Sequence, residues 1–303
     1  MEVNSSQVEH IPVLARTLVE QINLPQDGVM VDATIGQGGH SLLFGTSLGS
    51  DGVIIALDVD KKAIRGAQLK LKDLACKVIY IYANFSEIDN LVREQGVEKV
   101  DFILADLGLC SSQLSDSEIG LSFQTDMPLD MRIDKRLRLS AADIINKTTQ
   151  KNLADLIFKF GQERFSRRIA RFIVRERQGR PITTTGQLSS IICRAVGQPE
   201  RKRKSKIHPA TRTFQALRIA VNNELENLEK LLASASGLLG VNGRIAIISF
   251  HSLEDRLVKL NFKANEKAGI YKIITKKPIV ASREEISSNQ RARSAKLRIA
   301  EKT

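Results

Sequence analysis

The chain has no tryptophan and only three tyrosines in 303 residues, too few for a broad aromatic platform on which successive bases stack. Cysteine is equally sparse. Cys76, Cys110 and Cys193 are odd in number, far apart and outside any Cys-x-x-Cys pair, which argues against a disulfide framework or a zinc site and for a reducing compartment. The four histidines, His10, His40, His208 and His251, show no ligand spacing, so no metal is expected. No apolar run approaches the length of a membrane span, and the N-terminus lacks a basic-then-apolar signal pattern, so no membrane is expected as a partner and the expected location is the cytoplasm. Acid is also in deficit: 34 Asp plus Glu face 46 Lys plus Arg, a formal net charge of +12. The excess is clustered, with five cations in Arg201-Lys202-Arg203-Lys204-Ser205-Lys206. It favours nucleic acid held through its phosphates, with one base entering a pocket, over a merely basic surface.

The stretch that organises the chain is Val29-Met30-Val31-Asp32-Ala33-Thr34-Ile35-Gly36-Gln37-Gly38-Gly39-His40, an apolar run that ends in an acid and enters a glycine-rich turn. It reads as a buried parallel strand, a loop, then a helix. Gly36-x-Gly38 begins a dinucleotide fingerprint, but Ser41 stands where its third glycine or alanine belongs, so a purely structural turn remains open. A second apolar run, Val53 to Leu57, ends in Asp58, 20 residues beyond Gly38, where an acid takes ribose hydroxyls in nucleotide-binding α/β folds. A third strand, Val78 to Tyr82, closes on Asn84-Phe85, which places an aromatic for contact with an adenine. A fourth, Val100 to Ala105, again ends in an acid, Asp106. Each acid fits a turn or helix cap as well.

The alternation stops at Asp106 and resumes at Gly243 to Ser249, a fifth buried strand. Between them, apolar residues recur at three and four from Ser140 to Ala195, with Thr183, Thr184 and Thr185 as helix caps, so a helical insertion is expected. A long helix with Phe214, Leu217, Val221, Leu225, Leu228 and Leu232 on one face should pack on the sheet just before the fifth strand. Leu14, Leu18 and Ile22 predict a short N-terminal helix with Pro12 in its first turn. Gly269 to Thr275 and Ala295 to Ala300, joined through Pro278, predict an antiparallel pair at the sheet edge. The expected fold is α/β, with about seven strands, five parallel and a terminal hairpin, and ligands at the carboxyl ends of the strands. The expected division is a core of residues 1–108 and 206–303 with an inserted all-helical domain at 109–205.

Chemistry-bearing residues crowd two places. Leu107 to Arg132 carries Cys110, Gln113, Asp126, Asp130 and Arg132 in a segment of little periodicity directly after a strand end. At the fifth strand end, Ser249-Phe250-His251-Ser252-Leu253-Glu254-Asp255-Arg256 puts a histidine, two acids and an arginine on the rim expected to hold Asp32, Asp58 and Asp106.

These blocks resemble the small-subunit ribosomal RNA (cytosine-N4)-methyltransferases of the RsmH or MraW type. The likeness runs from His10-Ile11-Pro12-Val13-Leu14 through Asp32 to Ser41, Pro128-Leu129-Asp130-Met131-Arg132, His208 to Arg218, Ser249 to Arg256 and Arg291 to Arg298, so it covers nearly the whole chain. The resemblance implies a class I methyltransferase-like, Rossmann-like fold and an S-adenosyl-L-methionine-dependent enzyme. It further implies methylation of the exocyclic N4 amine of a cytidine in the decoding region of small-subunit (16S) rRNA. Carried over by position, the cofactor contacts fall on Gly38, Gly39, His40, Asp58, Phe85, Asp106 and Gln113. Asp106 and His251 are the candidate catalytic residues, and Asp130, Arg132, Arg212 and Glu254 are the candidates for holding the substrate. Five positions depart from the family's pattern: Cys110, Ser112, Ile119, Leu121 and Met127 stand where serine, proline, arginine, phenylalanine and glycine are expected. The partner is the rRNA, naked or in an assembled small subunit, and a monomer and a dimer both remain open. Two other classes share some features: a non-catalytic rRNA-binding assembly factor, and an NAD-dependent oxidoreductase, which conflicts with Ser41, the basic charge and the terminal hairpin.

Overall fold

The computed structural model describes residues 12–110, 113, 116, 118–197 and 208–303. His10, Ile11, Ser112 and the basic run at 201–206 lie outside the described residues. The chain divides into two compact units, one running Leu109–Glu226 and the other comprising the chain up to Gly108 together with Asn227–Thr303.

The second of these is built on one seven-stranded sheet: β1 (Val29–Asp32), β2 (Val53–Asp58), β3 (Lys77–Tyr82), β4 (Val100–Asp106), β5 (Leu239–Ser249), β6 (Tyr271–Ile273) and β7 (Lys296–Lys302). The order across the sheet is β3-β2-β1-β4-β5-β7-β6. The first five strands are parallel, and β7 runs antiparallel to both neighbours. The two C-terminal strands pair antiparallel beyond β5, as expected, with the last strand, β7, on the inside against β5 and the short β6 at the edge. The reason is in the residues: Leu297, Ile299 and Ala300 are fully buried, whereas β6 buries only Tyr271 and leaves Lys272 exposed. Among the described residues, no second βαβ half follows β5.

Alternate strand residues point to opposite faces, so each face has its own core. Met30, Ile54, Ala56, Phe102 and Leu104 face α1 (Ala15–Gln21), α2 (Gly39–Gly45) and α3 (Lys61–Lys70), whose Leu18, Phe44, Ile64 and Ala67 complete that layer. Val31, Ile55, Leu57, Ile103 and Ala105 face the other layer, with residues from α4 (Ile88–Arg93) and from two helices flanking β5. Each such buried Leu or Ile contributes roughly 1.5–3 kcal/mol, so the paired layers fix the strand register. Pro12 lies outside α1, whose N-cap is Leu14 in a left-handed conformation (φ 55°). Its ring packs against Gly39 instead.

The helical unit contains α5 (Ala141–Lys147), α6 (Gln150–Gly161), α7 (Ser166–Gly179), α8 (Thr185–Val196) and α9 (Thr211–Asn222) around one core of Leu153, Ile157, Ile169, Ile173, Leu188, Ile192, Phe214 and Leu217. Thr184 caps α8 in a reciprocal box with Gln187, as the threonine run predicts. The long helix expected over 214–232 is two helices. Asn223 takes a left-handed conformation (φ 51°) between α9 and α10 (Glu224–Leu238), a geometry asparagine tolerates better than most residues. Phe214, Leu217 and Val221 consequently enter the helical core, whereas Leu228, Leu231 and Leu232 pack on the sheet. The expected return to the sheet at 206 falls instead at Asn227.

Candidate active site

The strand register creates the site. Asp32, the last residue of β1, pairs with Ala56 of β2 and Leu104 of β4. Both neighbours run two residues further, to Asp58 and Asp106, so β1 ends early and leaves a notch walled by two acids. Because these three acids are level or two residues apart along neighbouring strands, all point to the α2 side of the sheet. The sheet order also reverses here, β1 leading outward to β2 and β3 while β4 and β5 lie on the other side. That switch point, at the carboxyl ends of the strands, is where open α/β sheets bind ligands.

The loop after β1 fills the floor of the notch by bonding alternately to its two walls. Ala33 N–H donates to Leu104 O and Ile35 N–H to Leu57 O. Thr34 Oγ1 accepts from the Asp106 N–H at 2.7 Å, and Gly36 N–H donates to Asp58 Oδ2 at 2.9 Å. Asp58 Oδ1 accepts a further N–H from Asp60 at 2.9 Å. Each oxygen of Asp58 thus has one loop donor and keeps a lone pair for a ligand hydroxyl. Burial pushes the Asp58 pKa up to about 6, against the two backbone donors, which favour the charged form.

Asp32 plays a different part. It is 1% exposed, and its carboxylate accepts from Ser41 Oγ at 2.7 Å and from Thr34 N–H at 3.2 Å. Burial pushes its pKa up as well, opposed by the Ser41 hydrogen bond. The serine at the missing third glycine is therefore what ties α2 to the end of β1. Next to it, His40 Nε2 donates to Val13 O at 2.9 Å, leaving Nδ1 facing Asp106 Oδ2 at 3.8 Å. Asp106 Oδ1 accepts the Gly108 N–H at 3.3 Å, and its side chain is 22% exposed.

The glycines of the loop are set by the protein itself. Gly38 has φ 75° at the start of α2, a conformation that strains any residue with a side chain. A Cβ on Gly39 would lie 2.7 Å from Pro12 Cγ. Phe85 opens a short 3-10 turn capped by Asn84 and is half-buried against the layer that holds Ile88 and Val92. At the end of β5, His251 is the N-cap of α11 (Ser252–Lys267): its Nδ1 accepts the Glu254 N–H at 3.3 Å. Glu254 Oε2 reciprocates, accepting from the backbone of Phe250 at 2.8 Å and of His251 at 3.2 Å. His251 Nε2 lies 3.2 Å from Glu254 Oε1, so both side chains are engaged with each other and with the helix start.

The remaining candidates belong to the helical unit. Gln113 is buried and its Oε1 accepts the Cys110 N–H at 3.1 Å. Asp130 takes Arg132 in a two-pronged contact, Nε at 2.7 Å and Nη2 at 2.9 Å, with Lys135 at 3.6 Å. Burial raises the Asp130 pKa, but these cations outweigh it and hold the carboxyl below its ordinary range. Arg212 is an exposed residue on α9 that reaches Gln162 O at 3.5 Å. The loop carrying Asp130 and Arg132 has an anchor that the sequence did not flag. Asn222, buried on α9, accepts the Ile133 N–H and donates to Met131 O, both at 2.9 Å, bracketing Met131 in its left-handed conformation (φ 63°). Thr34, Ser41 and Asn222 were missed because a small polar residue carries no periodicity; Asp32-x-Thr34, an acid followed two residues later by a hydroxyl, was the one available signal. Of the departures from the family's pattern, Ile119 and Met127 are buried, and Leu121 packs against the helical core.

A parallel sheet of this order, with one antiparallel strand inserted beside its edge and acids at the switch point, is that of a class I methyltransferase. Family comparison is consistent with that architecture. The chain belongs to the MraW methylase family, whose profile matches residues 7–303. Ribosomal RNA small subunit methyltransferase H of Clostridioides difficile is 43% identical over 98% of this chain and 99% of its own. The protein of that name from a Cyanothece species is 46% identical over 97% and 94%. Among solved structures, an rRNA methylase from Streptococcus thermophilus aligns with a TM-score of 0.45 at 12% identity, covering 95% of this chain and 93% of that one.

Proposed function

We propose that this protein transfers a methyl group from S-adenosyl-L-methionine to the exocyclic N4 amine of a cytidine in the decoding region of small-subunit rRNA. The observation that carries the reading is the notch at the end of β1, with Asp58 on one wall and Asp106 on the other. The residues present fit the cofactor: Asp58 keeps acceptor capacity for ribose hydroxyls, and Phe85 is partly exposed, an aromatic for contact with an adenine. When bound, S-adenosyl-L-methionine supplies an electrophilic methyl group on a sulfonium. Gly38, Gly39 and His40 are assigned to the same ligand.

On the substrate side, the lone pair of a cytidine amine is delocalised into the ring, so the protein must hold and polarise its hydrogens. Asp106 is assigned this role. Its carboxylate accepts an N–H of the amine and receives the proton displaced when nitrogen becomes bonded to four groups. Asp130, Arg132 and Arg212 are assigned to the RNA, Arg132 presenting its guanidinium already fixed by Asp130. His251 and Glu254 support the rim as the cap of α11. The test is incorporation of labelled methyl into 16S rRNA and into assembled small subunits, with the modified nucleotide mapped. Asp106→Asn should lower transfer by about 10²–10⁴-fold while leaving rRNA affinity unchanged. Transfer at the wild-type rate removes Asp106 from the mechanism, and rRNA binding without any incorporation by the wild type favours a non-catalytic assembly factor.

A further inference from the structure

Helix α7 carries a second, separate feature. Its sequence Ser-Arg-Arg-Ile-Ala-Arg-Phe-Ile-Val-Arg-Glu-Arg-Gln-Gly places Arg167, Arg168, Arg171 and Arg175 on the surface, with Arg164 exposed in the turn just before it. At 3.6 residues per turn the four helical arginines fall within an arc of about 100°. Ile169, Ala170 and Ile173, fully buried in the helical core, occupy the opposite side. A solvated helix face ordinarily interleaves acids at three and four residue spacing. Here the local acids are turned elsewhere. Glu163 is buried and accepts the Phe165 N–H, and Glu176 is held by Arg194 at 3.0 Å, with Arg175 at 3.6 Å. Among the described residues, Arg164, Arg167, Arg168 and Arg171 form no ion pair. Three of the five guanidinium groups lie over rings: Arg164 is 4.7 Å from the Phe165 centroid, and Arg168 and Arg175 are 5.9 and 4.8 Å from that of Phe172. Stacking of this kind orients a planar guanidinium while leaving its N–H donors outward, the arrangement suited to two-pronged contact with phosphate.

We infer that this arginine face of α7 docks on the phosphate backbone of the RNA substrate. The inference rests on the reading of RNA as the substrate. From Arg167 to Arg175 the face spans about 12 Å, the length of roughly three to four phosphates along one strand. A lysine stripe of similar shape on α11, formed by the exposed Lys259, Lys263 and Lys267, supplies an internal control, because lysine offers charge without the fixed fork.

The experiment compares two full-length variants that each lose three charges, R168Q/R171Q/R175Q and K259Q/K263Q/K267Q. Binding to a 16S rRNA transcript is measured across a salt series, and methyl transfer is measured against RNA concentration. Unchanged circular dichroism and thermal midpoint establish that both variants fold. The arginine variant should lower the slope of log K against log salt by about 2–3 and raise the KM for RNA about tenfold or more, with kcat at saturating RNA unchanged. The lysine variant should change both by less than half as much. Wild-type RNA affinity in the arginine variant overturns the inference, as does an equal or greater loss in the lysine variant, which would make the effect one of net charge. Absence of transfer by the wild-type protein would refute the proposed reaction, while the binding arm would still report on the arginine face.

Discussion

Asp58 connects the cofactor reading to a pH dependence of known sign. Its pKa is pushed up to about 6, chiefly by burial. If the ionised carboxylate is what accepts the ribose hydroxyls, affinity follows the ionised fraction. That fraction is about ten in eleven at pH 7 and about one in eleven at pH 5, so the Kd for S-adenosyl-L-methionine should rise about tenfold between them. Ordinary α-amino and α-carboxyl groups titrate outside this interval, so the cofactor's own termini do not mimic the effect. Asp58→Asn keeps an acceptor for one of the Gly36 and Asp60 amides, turns an NH2 toward the other, and removes the charge. A hydrogen bond to a charged group contributes about 1.5–3 kcal/mol, so the variant should bind about 10- to 150-fold more weakly at pH 7 and show no slope. Calorimetric titration of both proteins at pH 5, 6 and 7 reads this directly. A pH-independent wild type, or a variant that keeps the tenfold slope, would refute the assignment. The same shift acts on folding with the opposite sense: a carboxyl whose folded pKa lies above its unfolded value near 4 favours the folded state when protonated. Its contribution to stability is therefore greatest below about pH 4 and is lost as pH rises to about 6.

Three further outcomes follow from the contacts. His251→Ala removes a helix cap and should cost about 0.5–2 kcal/mol in a denaturant titration with kcat retained, and His251→Asn should restore the stability; loss of kcat in both variants would instead make His251 catalytic. Asn222→Ala leaves the Ile133 N–H and Met131 C=O without their buried partner and should destabilise by about 2–4 kcal/mol, more than an exposed substitution on the same helix, as read by thermal unfolding. Gly39→Ala places a Cβ 2.7 Å from Pro12 Cγ, so it should lower both stability and cofactor affinity. Pro12→Ala in the same chain should restore both, and a failure to rescue would mean that Gly39 makes room for the ligand instead.

The strands that end in Asp32, Asp58 and Asp106 were legible because each runs into its acid through at least three consecutive apolar residues, the pattern of a strand buried on both faces, with Asp101 the one polar interruption near the start of the third. The helical insertion was legible from its three-and-four spacing. The break at Asn223 was not, since the apolar positions continue across it in phase from Val221 to Leu228 and only the left-handed conformation at Asn223 separates the two helices. Nor was the position of β7, because strand-like content does not say which of two strands takes the inner place. His251 and Glu254 illustrate the reverse problem. Their residue types suggest chemistry, but three-residue spacing at a helix start also makes a reciprocal cap, and the structure engages both in it.

By itself, then, the sequence determined the parallel α/β core, the acids at its strand ends, the helical insertion and the excess of positive charge. These depend on hydrophobic periodicity and residue type, which are local properties of the chain. Tertiary structure alone decided what the acids do. β1 stops two residues short of its neighbours, so Asp32 is consumed by Ser41 and Thr34 while Asp58 and Asp106 are left as the two walls of a notch. Register between strands distant in sequence is set by the packing of both faces at once, and no single stretch of residues contains it.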